Sequence, residues 1–210
     1  LFKAKLYYQS GQAYAKTDIE KSIFFNNFGA LANHQENRKV AFTLFQHAVK
    51  LNPANLTARF NLANLYLRYG LIDKAISSFE YLIKFAPEDK ELINGLAHAH
   101  YLNGDLKRAN FYFETLPKQF VPRRGINSTR ALVTHLLGDS QKALTILKES
   151  KDENSSKINK EYSQVKNFIE SEIERVKDEK EAAEKAAAEK KKTDAQPVEQ
   201  PVPDVKENNK

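Results

Sequence analysis

The chain has 210 residues, 41% of them hydrophobic, and its 33 Lys and Arg against 27 Asp and Glu give a net charge of +6. This length suits one or two domains, and the absence of cysteine excludes disulfides, thiolate metal sites and a cysteine nucleophile. No apolar run is long enough to span a bilayer, and the basic excess lies in residues 1–150, with 20 Lys/Arg against 12 Asp/Glu, rather than in 151–210, with 13 against 15.

In chain order, residues 1–21 come first. No secretory signal begins at Leu1, and the lack of an initiator methionine leads to the expectation of a processed or trimmed chain. A membrane tether upstream of residue 1 is compatible with that start. Ala4, Tyr8 and Gly11 are spaced as on the second helix of a partial repeat preceding the first full one.

From residue 22 a fixed period takes over. Gly29, Ala63, Ala97 and Ala131 are 34 residues apart, as are Ala41, Ala75, Ala109 and Ala143. Phe45, Phe79, Phe113 and Leu147 keep the same step, and so do Gly70, Gly104 and Gly138, and Pro53 and Pro87. Such a period signals stacked helical units, read here as four copies at 22–55, 56–89, 90–123 and 124–150. Copy two illustrates the pattern. Its first helix runs from Leu56 to about Tyr69, and Gly70 supplies the positive φ that a helix end favours. Asp73 lies near the next helix start, where a carboxylate suits the dipole. Ala75, Ile76, Phe79, Leu82 and Ile83 then form a core-facing stripe, and Pro87 ends the second helix. Ala63 and Ala75 are thin spots where two helices cross, so a large side chain at either would overpack the contact.

Copy three keeps Ile93, Leu96-Ala97, His100 and Ala109-x₃-Phe113, with Pro117 and Pro122 near the expected proline. The stretch 116–130 clusters Lys118, Arg123, Arg124 and Arg130 as a candidate basic rim. A nucleic-acid surface needs aromatics interleaved with such charge, and only Phe120 is close, so no nucleic-acid partner is expected. Copy four has Arg130 where a large apolar residue is expected, then Ala131 and Ala143-x₃-Leu147. Beyond it, Asn154, Ser155 and Ser156 are N-cap candidates. Ile158, Tyr162, Val165, Phe168, Ile169, Ile173 and Val176 follow on one helical stripe, as a terminal cap at 151–177 requires. Residues 178–192 are helix-prone with no face to bury, a solvated extension. Residues 193–210 are polar and proline-rich, a disordered tail.

No catalytic constellation emerges. His98 and His100 point to nearly opposite sides of one helix, no HExxH or phosphate-cradling glycine loop occurs, and His100 takes the aromatic packing site of its repeat. The expectation is a non-enzyme with no cofactor and no metal.

On the residues quoted above, the sequence resembles the tetratricopeptide repeat family over about residues 22–150. The resemblance implies an all-α, right-handed α-solenoid of stacked helix-turn-helix repeats with a C-terminal capping helix. It implies a groove lined by first helices that takes a protein or peptide partner. The first-helix residues facing that groove are Asn27, Asn61, Asn64, Asn94, His98 and Tyr101, with Asn26, Ala30, Asn33 and Leu67 beside them. An amide both donates to and accepts from a peptide unit, but Asn27 and Asn61 also suit a bond to a neighbouring helix. The family's carboxylate clamp is not implied: of Asn26, Ala30, Asn61, Glu91 and Gly95 at its sites, only Asn61 agrees. The Ala/Lys/Glu helix with its Pro/Gln tail resembles bacterial envelope proteins. This implies a periplasmic or membrane-tethered assembly factor for secretion, pili or outer-membrane biogenesis. A cytoplasmic adaptor for a secreted client and a self-assembling structural protein are the alternatives, and the oligomeric state is left open.

Overall fold

The 34-residue period becomes helix pairs. A computed structural model describes residues 11, 14–116, 126–149 and 156–194, with no strand among them. We number the helices α1 (Asp18–His34), α2 (Arg38–Leu51), α3 (Leu56–Arg68), α4 (Ile72–Ile83), α5 (Lys90–Leu102), α6 (Leu106–Thr115), α7 (Ile126–Leu136), α8 (Ser140–Glu149) and α9 (Ser156–Asp194). The chain divides into two units, Leu1–Val165 and Lys166–Lys210.

Helix α1 starts at Asp18, ahead of the expected repeat start at residue 22, because Thr17 and Glu20 form a reciprocal capping box. The T-x-x-E signal is local and legible in the sequence. Residues 1–10, with Ala4 and Tyr8 of the expected partial repeat, lie outside the described residues. Gly11 sits so close to the Phe24 ring that a Cβ would meet it at 2.7 Å.

The same turn joins first to second helix in every copy. Gly70, Gly104 and Gly138 have φ of 70°, 79° and 99°, as the period predicts. Each turn closes with two backbone bonds, for example Leu71 N to Tyr66 O at 2.9 Å and Gly70 N to Leu67 O at 3.1 Å. This is the paired 6→1 and 5→2 pattern that satisfies the last carbonyls of a helix. In the first copy the left-handed position is Glu36, with φ 61°, and the same bonds form from Asn37 and Glu36.

The second helices end less uniformly. Helix α2 stops at Leu51, with Asn52 extended before Pro53, as the residue before a proline prefers. Helix α4 stops at Ile83, four residues before Pro87. The proline thus falls in the following turn and does not itself end that helix, a correction to the expected boundary. Phe85 and Ala86 both bond back to the Leu82 carbonyl there.

Packing follows the thin spots. Ala63 and Ala75 are fully buried in a cluster with Phe79, Leu82, Leu92, Leu96 and Ala99. Phe79 lies between its own pair and the next, edge-on to Phe60 and against Gly95, where a Cβ would meet the ring at 2.7 Å. Gly29 does the same for Phe45 at 2.6 Å. Each large ring therefore seats on a position where a side chain is missing, and close packing of this kind excludes voids.

Helix α9 is continuous from Ser156 to Asp194, through the expected cap and its expected solvated extension. Ile169 is buried, whereas the described side chains from Lys177 to Lys190 are all exposed. Residues 195–210, most of the tail, lie outside the described residues.

Candidate functional site on the inner helix layer

The first helices touch one another. Helix α1 contacts α3, α3 contacts α5 and α5 contacts α7, whereas no second helix contacts the next second helix. The two layers are thus unequal: first helices crowd together and second helices splay apart. That inequality makes the first-helix side the inner, concave one.

Two of the expected groove residues are joined through a third. Asn61 donates its Nδ2 to Asn26 Oδ1 at 2.9 Å, and Asn26 donates its Nδ2 to Asn27 Oδ1 at 3.2 Å. Asn26 is 7% exposed, so its amide depends on these partners. Asn61 therefore bonds a neighbouring helix through its Nδ2. Asn27 is exposed at the end of the chain of amides. A second link lies beside it. Asn55 donates its Nδ2 to Ser22 Oγ at 2.9 Å, and Ser22 donates to the Ala48 carbonyl at 2.7 Å. Ser22, Asn26 and Asn55 form this polar seam between α1 and the start of copy two. The signal for it was a polar Asn26 at the register position where copy two has Phe60.

The remaining residues do not join a ladder. Asn64 is half-buried and donates its Nδ2 to the Phe60 carbonyl one turn back, at 3.1 Å. Asn94 is half-buried, and its Oδ1 is shielded from solvent with no hydrogen-bond partner. His98 lies one turn further along α5, its ring 6.2 Å from Tyr101, and burial pushes its pKa down. Tyr101 also packs on the core cluster of Ile93, Ala97 and Phe113. Asn64, His98 and Tyr101 are thus half-buried polar and aromatic groups on first helices, and Asn27 is exposed.

His100 behaves as a packing residue. It is 2% exposed, stacked on Tyr112 at 5.6 Å, and its Nδ1 has no partner. Burial pushes its pKa down.

Of the basic cluster expected at 116–130, Arg130 alone lies among the described residues. Arg130 pairs with Glu114 at 3.4 Å across α6 and α7, and Lys142 reaches the same carboxylate at 3.3 Å. Burial works against the Glu114 charge, but Arg130 and Lys142 outweigh it and hold the carboxyl below its ordinary range. Arg130 therefore takes the place of the expected apolar residue by pairing, and its charge is engaged between helices. Lys118, Arg123 and Arg124 lie outside the described residues. Among the described residues, no three His, Cys, Asp or Glu side chains are placed to hold a metal, and no helix is long and apolar enough to cross a membrane.

A solenoid of helix pairs with a 34-residue step defines a class. The fold is that of tetratricopeptide-repeat proteins. Residues 44–77, from the second half of α2 into α4, match the tetratricopeptide repeat model. Among solved structures, a thermophilic TPR protein from Thermus thermophilus, TTC0263, is similar at 23% identity and a TM-score of 0.59, over 70% of this chain and 82% of that one. YrrB, described as a TPR protein with an unusual peptide-binding site, is similar at 16% identity and a TM-score of 0.54, over 71% and 78% of the two chains. PilW, a type IV pilus biogenesis factor, is similar at 18% identity and a TM-score of 0.54, over 67% and 66%. At these identities the likeness is one of fold. No curated protein sequence matches the chain.

Proposed function

We propose that this protein is a non-catalytic scaffold whose inner helix layer holds an extended segment of a protein partner. The observation that carries the reading is the contact of first helices with one another while second helices stay apart. In this reading Asn64, His98 and Tyr101, each half-buried, line the shared inner face. Asn64 keeps its Oδ1 for a peptide N–H while its Nδ2 is engaged. Tyr101 and His98 offer ring surface with a polar tip, a combination favoured at interfaces. YrrB, with its peptide-binding site, supports a peptide ligand by analogy of fold.

The wider setting belongs to the same proposal. An assembly role in the bacterial envelope has PilW as its fold analogue. The division into four repeats and a cap at 151–177 completes it.

The test is capture from native extract by the full chain, beside two variants, with mass-spectrometric identification. Asn64→Ala with His98→Ala is expected to lose the captured partner while keeping its melting temperature. Asn61→Ala is expected to lower stability by about 1–3 kcal/mol, because the buried Asn26 acceptor loses its donor. Equal capture by the wild type and a folded Asn64/His98 variant sinks the inner-face assignment.

A further inference from the structure

The first helices leave only a narrow arc uncovered. In α5, from Glu91 to Leu102, the residues that are not buried are Glu91, Asn94, His98, Tyr101 and Leu102. Steps of three and four residues put them on one face of the helix. Phe60, Asn64 and Leu67 stand one 34-residue step before Asn94, His98 and Tyr101, and Ser128, Leu132 and His135 one step after. All six are half-buried. In the first copy the same positions hold Asn26, Ala30 and Asn33, the last two exposed.

No member of these four triplets carries a formal charge, with histidine neutral. The charges of α1, α3, α5 and α7 fall elsewhere. Asp18, Glu20, Lys21, Lys90 and Glu91 lie in a first turn, and Arg68 is the last residue of α3. The other two, Arg59 and Arg130, are turned to second helices. Arg59 lies 4.2 Å over the Tyr81 ring of α4, and Arg130 pairs with Glu114 of α6 at 3.4 Å. The second helices hold eight Lys/Arg against four Asp/Glu, so their pull on an anionic partner comes from outside the arc.

We infer, on the inner-layer reading proposed above, that the docked part of the partner is an uncharged extended segment bearing apolar side chains. Phe60, Leu67, Tyr101 and Leu132 contribute apolar and aromatic surface to the arc, and the Asn64 amide serves the partner's backbone. A charged side chain laid against this surface leaves water and meets no opposite charge, which is costly. His98 adds to the neutrality, because burial favours its uncharged ring.

The experiment pans phage-displayed random peptides on the full chain. Peptides of about 12 residues are long enough, when extended, to cross four helices spaced about 10 Å apart. The enriched peptides are expected to share a core free of Asp, Glu, Lys and Arg, and to be lost from a folded Asn64→Ala, His98→Ala variant. A synthetic copy of one should change affinity by less than about twofold between about 50 and about 300 mM salt. Ala30→Glu and Ala30→Lys, which place either sign on the arc at an exposed position, should each weaken that peptide by about tenfold. Ser128→Glu and Ser128→Lys repeat the test in the fourth copy, and circular dichroism of each variant checks folding. An acidic or basic core, lost from the Asn64/His98 variant, overturns the inference and leaves the inner-layer reading standing. So do responses of opposite direction to the two signs, or no response at either position. Enriched peptides held equally by the folded Asn64/His98 variant, or no enrichment at all, sink the inner-layer reading and this inference with it.

Discussion

Glu36 shows what one residue contributes to this array. The three later copies place glycine at the left-handed turn position, and the first places glutamate there at φ 61°. A side chain in that region costs about 1–2 kcal/mol, and glycine carries no such cost at positive φ. Glu36→Gly is therefore expected to stabilise the protein by about 1 kcal/mol, read by urea denaturation. The pair with Arg38 that it removes, at 3.9 Å and exposed, is worth little. A drop in stability would show that the turn is held by that pair. His100 sets a second residue-scale expectation. Burial lowers its folded pKa, with Asp105 acting weakly in the other direction, while the unfolded chain protonates near 6.5. As pH falls below about 6.5 the unfolded state binds the proton first. Stability is therefore full above that pH and declines below it, until the folded pKa is reached. Melting temperature should fall on acidification from about pH 7 to about pH 5. His100→Phe should flatten the slope without removing it, because His98 is shifted in the same sense. The Glu114 carboxylate adds a separate acid loss below 4.5, its ordinary value.

At the scale of the element, the turn and the cap are one device. The residue after the left-handed position closes one helix with its N–H and caps the next with its side chain. Asn37 accepts from Val40 N, Asp105 from Arg108 N, and Asp139 from Lys142 N. In copy two this residue is Leu71, and α4 has no side-chain cap. Leu71→Asp is expected to add about 0.5–1 kcal/mol, measured as a shift in the denaturation midpoint. No change would mean that Asp73 already supplies the N-terminal charge. The helices themselves were largely legible beforehand, because alanine and phenylalanine at a fixed step report on contact faces. The end of α4 was not. Pro87 marks a stop in the sequence, yet the helix unwinds earlier, at Ile83, where Phe85 turns out to solvent. Proline limits how far a helix can run; it does not say how much of that length packing will use.

At the scale of the whole molecule, stability is a sum over neighbouring pairs. Residues beyond the last packed side chain should then contribute nothing to it. Removing residues 178–210 is expected to leave the melting temperature unchanged while lowering the helical signal, since the described side chains from 178 to 190 are exposed. At its start, Arg175 pairs with Glu172 and Glu179, local i,i+3 and i,i+4 contacts along the helix. A large fall in melting temperature would mean that the distal helix carries packing of its own.

The repeat, its 34-residue step, the small residues at helix crossings and the glycine turns are all legible from the residues alone. These follow from sterics that act within a few residues of the chain. Which partner each polar side chain takes is set by the fold. Asn61 and Asn26 meet across two helices 35 residues apart, Arg130 finds Glu114, and Asn94 turns its oxygen inward. The first two are choices of partner between groups distant in sequence, and the third is a buried oxygen with no partner. An amide or guanidinium has several equivalent options in a string of letters, and the folded interior removes all but one.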